Sequence, residues 1–111
     1  MIFKIEGIVA AMVTPFTKGG EYVDFDKVGG VAEGVLRTGV HGLFVCGTTG
    51  EGLLMSADER EAVVEEVQPI LKKAKKKLIV HSGAMDLATT IQLTTHAVSY
   101  THLTLPTKRI V

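Results

Sequence analysis

Three short apolar runs, each followed by a segment with helical periodicity, set the tightest limit on how this chain can fold. Gly7-Ile8-Val9-Ala10-Ala11-Met12-Val13 is apolar without alternation and stops at Thr14-Pro15. A strand wetted on one face alternates, so an unbroken run reads as a strand buried on both faces, the habit of parallel sheets. Gly42-Leu43-Phe44-Val45-Cys46 repeats the pattern, as does Leu78-Ile79-Val80 running into His81-Ser82. Strands are therefore expected near 7–13, 42–46 and 78–82.

Helices are expected between and after them. Asp24 is placed to cap one carrying Val28, Val31 and Val35 and ending near Gly39. Gly29, Gly30 and Gly34 inside it cost roughly 1 kcal/mol each against alanine, so packing must hold it. Ser56 and Glu59 have capping-box spacing and open a helix with Val63, Val67, Ile70, Leu71 and Ala74 along one face. Pro69 removes the hydrogen bond to the Glu65 carbonyl, so a bend or a split is expected there. Lys72, Lys73, Lys75, Lys76 and Lys77 gather at the end of this helix, where the dipole favours cations on a solvated face. Leu87 to Val98 offers a third helix with Ile91, Leu93 and Ala97. Three βα units in series predict an α/β fold with a parallel sheet and right-handed crossovers, doubly wound or part of a β/α barrel. Three strands cannot close a barrel, which needs eight strands and about 250 residues.

Charge narrows the partners. The 111 residues hold 12 basic and 12 acidic side chains, a net charge of zero, which gives no field to draw in nucleic acid or an acidic membrane. One cysteine, Cys46, excludes an internal disulfide and a multi-cysteine zinc site, and its apolar strand makes it a small core residue. The opening Met1 to Glu6 is unlike a signal peptide and the run Ile8 to Val13 is too short to span a membrane, so a cytoplasmic protein is expected. His41, His81, His96 and His102 show no i, i+4 pair and no accompanying carboxylate pattern, so no metal site is expected. His81, ending the third run, reads as a packed histidine rather than a catalytic base.

The chemistry concentrates in Gly47-Thr48-Thr49-Gly50-Glu51-Gly52, where a buried strand delivers two hydroxyls into a glycine-rich loop ahead of a helix. Such a loop lets main-chain N–H groups approach an anion, at the strand end where parallel α/β proteins bind ligands. A Walker A loop fails because Leu53 and Leu54 stand where lysine and a hydroxyl residue are required. A dinucleotide fold fails because His81 and Ser82 occupy the place of the acidic residue.

Val13-Thr14-Pro15-Phe16, Asp24-Phe25-Asp26 and Gly39-Val40-His41-Gly42, together with the loop Gly47 to Gly52 and Glu59 after six further residues, resemble the N-terminal part of the dihydrodipicolinate synthase and N-acetylneuraminate lyase family. The resemblance covers residues 4 to 98. It implies the first three βα units of a (β/α)8 TIM barrel, truncated, from a class I aldolase-type lyase or synthase. Such an enzyme forms a lysine Schiff base with pyruvate or another 2-oxo acid, adds an aldehyde, and uses no cofactor. By match, Thr49 binds the pyruvate carboxylate through hydroxyl and N–H, Thr48 relays protons, Ala11 lines the pocket floor, and Gly47 and Gly50 complete the substrate-binding set.

Thr48-Thr49 is typical of the 4-hydroxy-tetrahydrodipicolinate synthase type, which condenses pyruvate with aspartate semialdehyde in lysine biosynthesis. Sialate lyases usually carry serine first. A sugar-acid or sialate aldolase is the alternative within the family, and a non-enzymatic half-barrel that binds anions or associates through its sheet edges is the alternative outside it. The family's relay tyrosines and Schiff-base lysine have no counterpart here, so the chain itself is expected to be inactive, from a parent that is a tetramer or dimer. Residues 99–111 depart from the family pattern and resemble adapter read-through, so a foreign or disordered tail is expected.

Overall fold

The computed structural model describes residues 7–101, with side chains through residue 99. The opening Met1 to Glu6, His102, the segment Leu103-Thr104-Leu105 with Pro106, and Lys108 lie outside the described residues. Three strands, β1 (Val9–Ala11), β2 (Gly42–Val45) and β3 (Lys77–Val80), alternate with three helices, α1 (Phe25–Leu36), α2 (Ala57–Ala74) and α3 (Leu87–Thr101). The strands form one parallel sheet in the order β1-β2-β3, with Val9 opposite Gly42 and Gly42 opposite Lys77. No helix among the described residues is long and apolar enough to cross a membrane.

The helices pack side by side, α1 against α2 and α2 against α3, as a layer over one face of the sheet. Leu43, Val45 and Leu78 point into that layer and meet Val28 and Ala32 of α1 and Val63, Val64, Val67 and Leu71 of α2. Burying each such side chain contributes about 1.5–3 kcal/mol. Gly29 faces Ile70 of α2, and a Cβ there would stand 3.4 Å from Ile70 Cδ1, ordinary packing distance.

The strand ends depart from expectation in ways that matter for the site. The apolar run 7–13 is not buried on both faces: only Val9–Ala11 pair as a strand, Ala11 is exposed, and the flanking Ile8 and Val13 are 64% and 53% exposed, because β1 is the edge of the described sheet and nothing described covers its far face. Cys46 adopts φ 61°, a left-handed conformation that no strand sustains, so β2 stops at Val45 and the chain turns there. Similarly, β3 ends at Val80, one residue before His81.

The helices follow the expected pattern with three corrections. Ser56 Oγ accepts from the Glu59 N–H and Glu59 Oε1 accepts from the Ser56 N–H, the expected capping box. Asp24 holds the N-cap position of α1 but makes no side-chain cap; its carboxylate instead stands 3.7 Å from Lys27 Nζ. α2 is not split at Pro69, which lies exposed and leaves the Glu65 carbonyl without its helical donor. α3 extends to Thr101, beyond the expected Val98, and buries Leu93 and Ala97, whereas Ile91 is 47% exposed. Asp86 caps it: Oδ2 accepts from the Thr89 N–H and from Thr89 Oγ1, both at 2.8 Å, which holds the carboxyl below the usual carboxylate range.

Candidate active site

All three strands deliver their C-terminal ends to one side, and the loops there are cross-tied. After β1 the chain forms a small ribbon in which Phe16 bridges Val23, with Gly19 and Gly20 at positive φ at its tip. Glu59, already engaged in the capping box, accepts from the Val23 N–H through Oε2 at 3.2 Å. One carboxylate thus ties the loop after β1 to the start of α2, which gives the signature glutamate a structural task.

The loop after β2 is held from below. Thr14 Oγ1, 5% exposed, donates to the Gly50 carbonyl at 2.7 Å. A Cβ on Gly50 would lie 2.9 Å from the Met12 carbonyl oxygen, one on Gly52 would overlap the Cys46 carbonyl, and one on Gly47 would overlap the Phe44 ring. These glycines are required by close approach. Gly52 donates its N–H to the Gly47 carbonyl and Glu51, at φ 57°, donates to Thr48, which closes the turn.

Above this sealed base the two threonines are exposed. Among the described residues, neither hydroxyl makes a hydrogen bond, and no backbone carbonyl accepts from the N–H of Thr48, Thr49 or Gly50. Ala11 is exposed at the end of β1, opposite Phe44 in the register, on the face away from the helices. The structure therefore places Gly47 and Gly50 in the loop's base, Thr48 and Thr49 on its outer side, and Ala11 on the open face at the same end of the sheet. Successive unpaired N–H groups beside hydroxyls can receive a carboxylate.

The residue that sequence reasoning missed is Arg60. It is 3% exposed on the inner face of α2, where Nη1 donates to the Gly83 carbonyl at 2.8 Å and Nη2 to the His81 carbonyl at 2.6 Å. His81 Nδ1 lies 3.1 Å from the Cys46 carbonyl, so the tautomer protonated at Nδ1 donates there and links the ends of β2 and β3. The His81 ring also meets Phe44 edge-on at 6.1 Å, which makes it the packed histidine expected. Burial lowers the Arg60 pKa, while the adjacent Cys46 opposes that shift. Burial likewise pushes the Cys46 thiol up to about 11, which keeps it protonated and inert. The signal for Arg60 was present: it occupies the stripe continued by Val63, Val64, Val67 and Leu71, where a cation needs a reason to be.

Comparison with known proteins agrees with this arrangement. The Dihydrodipicolinate synthetase family matches residues 4–102. N-acetylneuraminate lyase from Homo sapiens is 40% identical over 95 residues, covering 85% of this chain and 29% of that protein. 4-Hydroxy-tetrahydrodipicolinate synthase from Sorangium cellulosum is 39% identical over 85 residues, 77% of this chain and 27% of its own length. The solved N-acetylneuraminate lyase of Aliivibrio salmonicida superposes with a TM-score of 0.81 at 37% identity, over 89% of this chain and 32% of the other. The chain thus spans less than a third of the length of these relatives, and its βα units are part of a TIM-barrel fold. On its sequence, its three βα units and its threonine loop, the chain belongs to the dihydrodipicolinate synthetase family.

Proposed function

We propose that the loop Gly47 to Gly52 is the carboxylate-binding element of a pyruvate-dependent, Schiff-base-forming lyase or synthase. The observation that carries this reading is the exposed pair Thr48 and Thr49 over a base sealed by Gly50, Gly52 and Thr14. Thr49 donates to the pyruvate carboxylate, Thr48 relays protons because a hydroxyl both donates and accepts, and Ala11 lines the floor. Gly47 and Gly50 let the backbone come close.

The Schiff base needs a desolvated, neutral lysine at a strand's C-terminal end. Among the described residues, Lys18 lies in the exposed ribbon tip, Lys27 on α1, Lys72, Lys73 and Lys75 exposed at the end of α2, Lys76 in the turn that follows, and Lys77 at the start of β3. None of these described lysines is placed for the reaction, and the expected result is that pyruvate with borohydride leaves no stoichiometric adduct on the chain by itself.

For the aldehyde, the pair Thr48-Thr49 supports aspartate semialdehyde and a 4-hydroxy-tetrahydrodipicolinate synthase parent, an oligomer acting in lysine biosynthesis. A sialate or sugar-acid aldolase is the second reading, favoured by the 40% identity to the human lyase. Grafting residues 4–98 into a full-length relative and assaying both substrates separates them. Turnover of aspartate semialdehyde, lost in Thr49→Val together with the borohydride-trapped adduct, is the expected result. Turnover of sialic acid alone replaces the first reading by the second.

A further inference from the structure

On the helix layer, rather than at the strand ends, α2 and α3 bring three metal-ligating side chains together. Glu61 and Glu65 stand four residues apart on α2, so their carboxylates share a face. His96 of α3 comes alongside, with Nε2 2.9 Å from Glu65 Oε2, and one ligand atom from each of the three lies within 4.8 Å of the others. Gln92, one turn before His96, donates from Nε2 to Glu61 Oε2 at 2.9 Å. Glu61 and His96 are half-buried and Glu65 is exposed, so the cluster has a sheltered side and a side open to water.

Two ligands of a tetrahedral Zn²⁺, each about 2.0–2.2 Å from the metal, stand roughly 3.3–3.6 Å apart. The pair Glu65–His96 is already slightly inside that spacing, and no ligand atom of the three stands more than 4.8 Å from another. One imidazole nitrogen with two carboxylate oxygens is a borderline donor set that suits Zn²⁺ and its first-row neighbours, whereas Mg²⁺ and Ca²⁺ take oxygen shells. The two carboxylates cancel the charge of a dication, the exposed flank leaves a position for water, and Gln92 orients Glu61 as an outer-shell partner does. The reading of the histidines above expected no metal because the imidazole and the carboxylates come from segments 31 residues apart.

We propose that Glu61, Glu65 and His96 form a binding site for Zn²⁺ or a similar transition-metal dication that staples α3 to α2. Calorimetric titration of the metal-free 111-residue chain with Zn²⁺ tests it, alongside melting curves at each metal level. One equivalent binds, and the melting temperature rises with Zn²⁺ but not with Mg²⁺. His96→Gln and Glu65→Gln each weaken binding at least about tenfold, since losing even an outer-shell partner costs about 10–100-fold, and Gln92→Ala weakens it less. An unchanged far-UV circular dichroism spectrum shows that the variants still fold, and Co²⁺ absorption that disappears in His96→Gln reports the site even if a melting curve does not move. The absence of saturable binding, binding indifferent to His96→Gln, or equal response to Mg²⁺ overturns the proposal.

Discussion

Leu43 and Phe44 are neighbours on β2, yet they belong to different worlds. Leu43 is fully buried under α1 and α2, while Phe44 is half-buried on a face with no described layer above it, beside an exposed Ala11 and in edge contact with His81. The helix-side face contains the apolar core of the described chain, and the open face carries Ala11 at the same end of the sheet as the threonine loop. A parallel sheet with helices on one face separates the two tasks residue by residue, so substitutions one position apart should report on different properties.

The sharpest test is Leu43→Ala. Truncating this buried side chain costs about 2–5 kcal/mol in urea unfolding, while Phe44→Leu costs well under half of that; equal losses would erase the distinction between the faces. Next comes Arg60→Ala, which leaves the His81 and Gly83 carbonyls without donors at about 1–3 kcal/mol each. Amide exchange in 81–84 should quicken more than in 47–52, and Arg60→Lys should recover only part of the loss because an ammonium lacks the planar fork.

Cys46 adds a pH dependence. Its thiol ionises near 9.0 when unfolded and near 11 when folded, so folding stability is unaffected below pH 9 and falls as pH rises from there toward 11. Cys46→Ala should flatten that decline, and a thiol reagent at pH 8 should modify the native chain only as fast as it opens. Ser56→Ala is smaller, about 1 kcal/mol, because the Glu59 N–H loses its acceptor while Glu59 keeps Val23. Smallest is Thr49→Val, which stays within about 0.5 kcal/mol because its hydroxyl supports nothing described, yet removes carboxylate binding in the grafted enzyme.

How much of this the sequence discloses depends on the range of the interaction. The capping box at Ser56 and Glu59 and the glycine loop are local, and both were legible. The tie from Glu59 to Val23 and the clamp of Arg60 on His81 and Gly83 join residues 36, 21 and 23 positions apart, and no local pattern encodes them. β1 misled for a related reason. An apolar run reports what a strand is built to be covered by, and Val13 has no such cover among the described residues. Of the bend or split expected at Pro69 the split does not occur, because Val63, Val64, Val67 and Leu71 on either side of it are buried in the core and hold α2 together.

The register described above also leaves the order of folding events to what lies between the strands. Ile8 meets His41 across 33 residues and Cys46 meets His81 across 35, so each strand pairing must close a chain loop of nearly the same length. The entropy of closure grows only as the logarithm of that length, which makes the two closures almost equal in difficulty. The nucleus is then chosen by what forms inside each loop beforehand, and α2, with its capping box and 18 residues, is the best-prepared insert. Docking of β2 and β3 around α2 should therefore precede the zipping of β1, and a destabilising change in α2 should slow refolding while one in β1 mainly speeds unfolding.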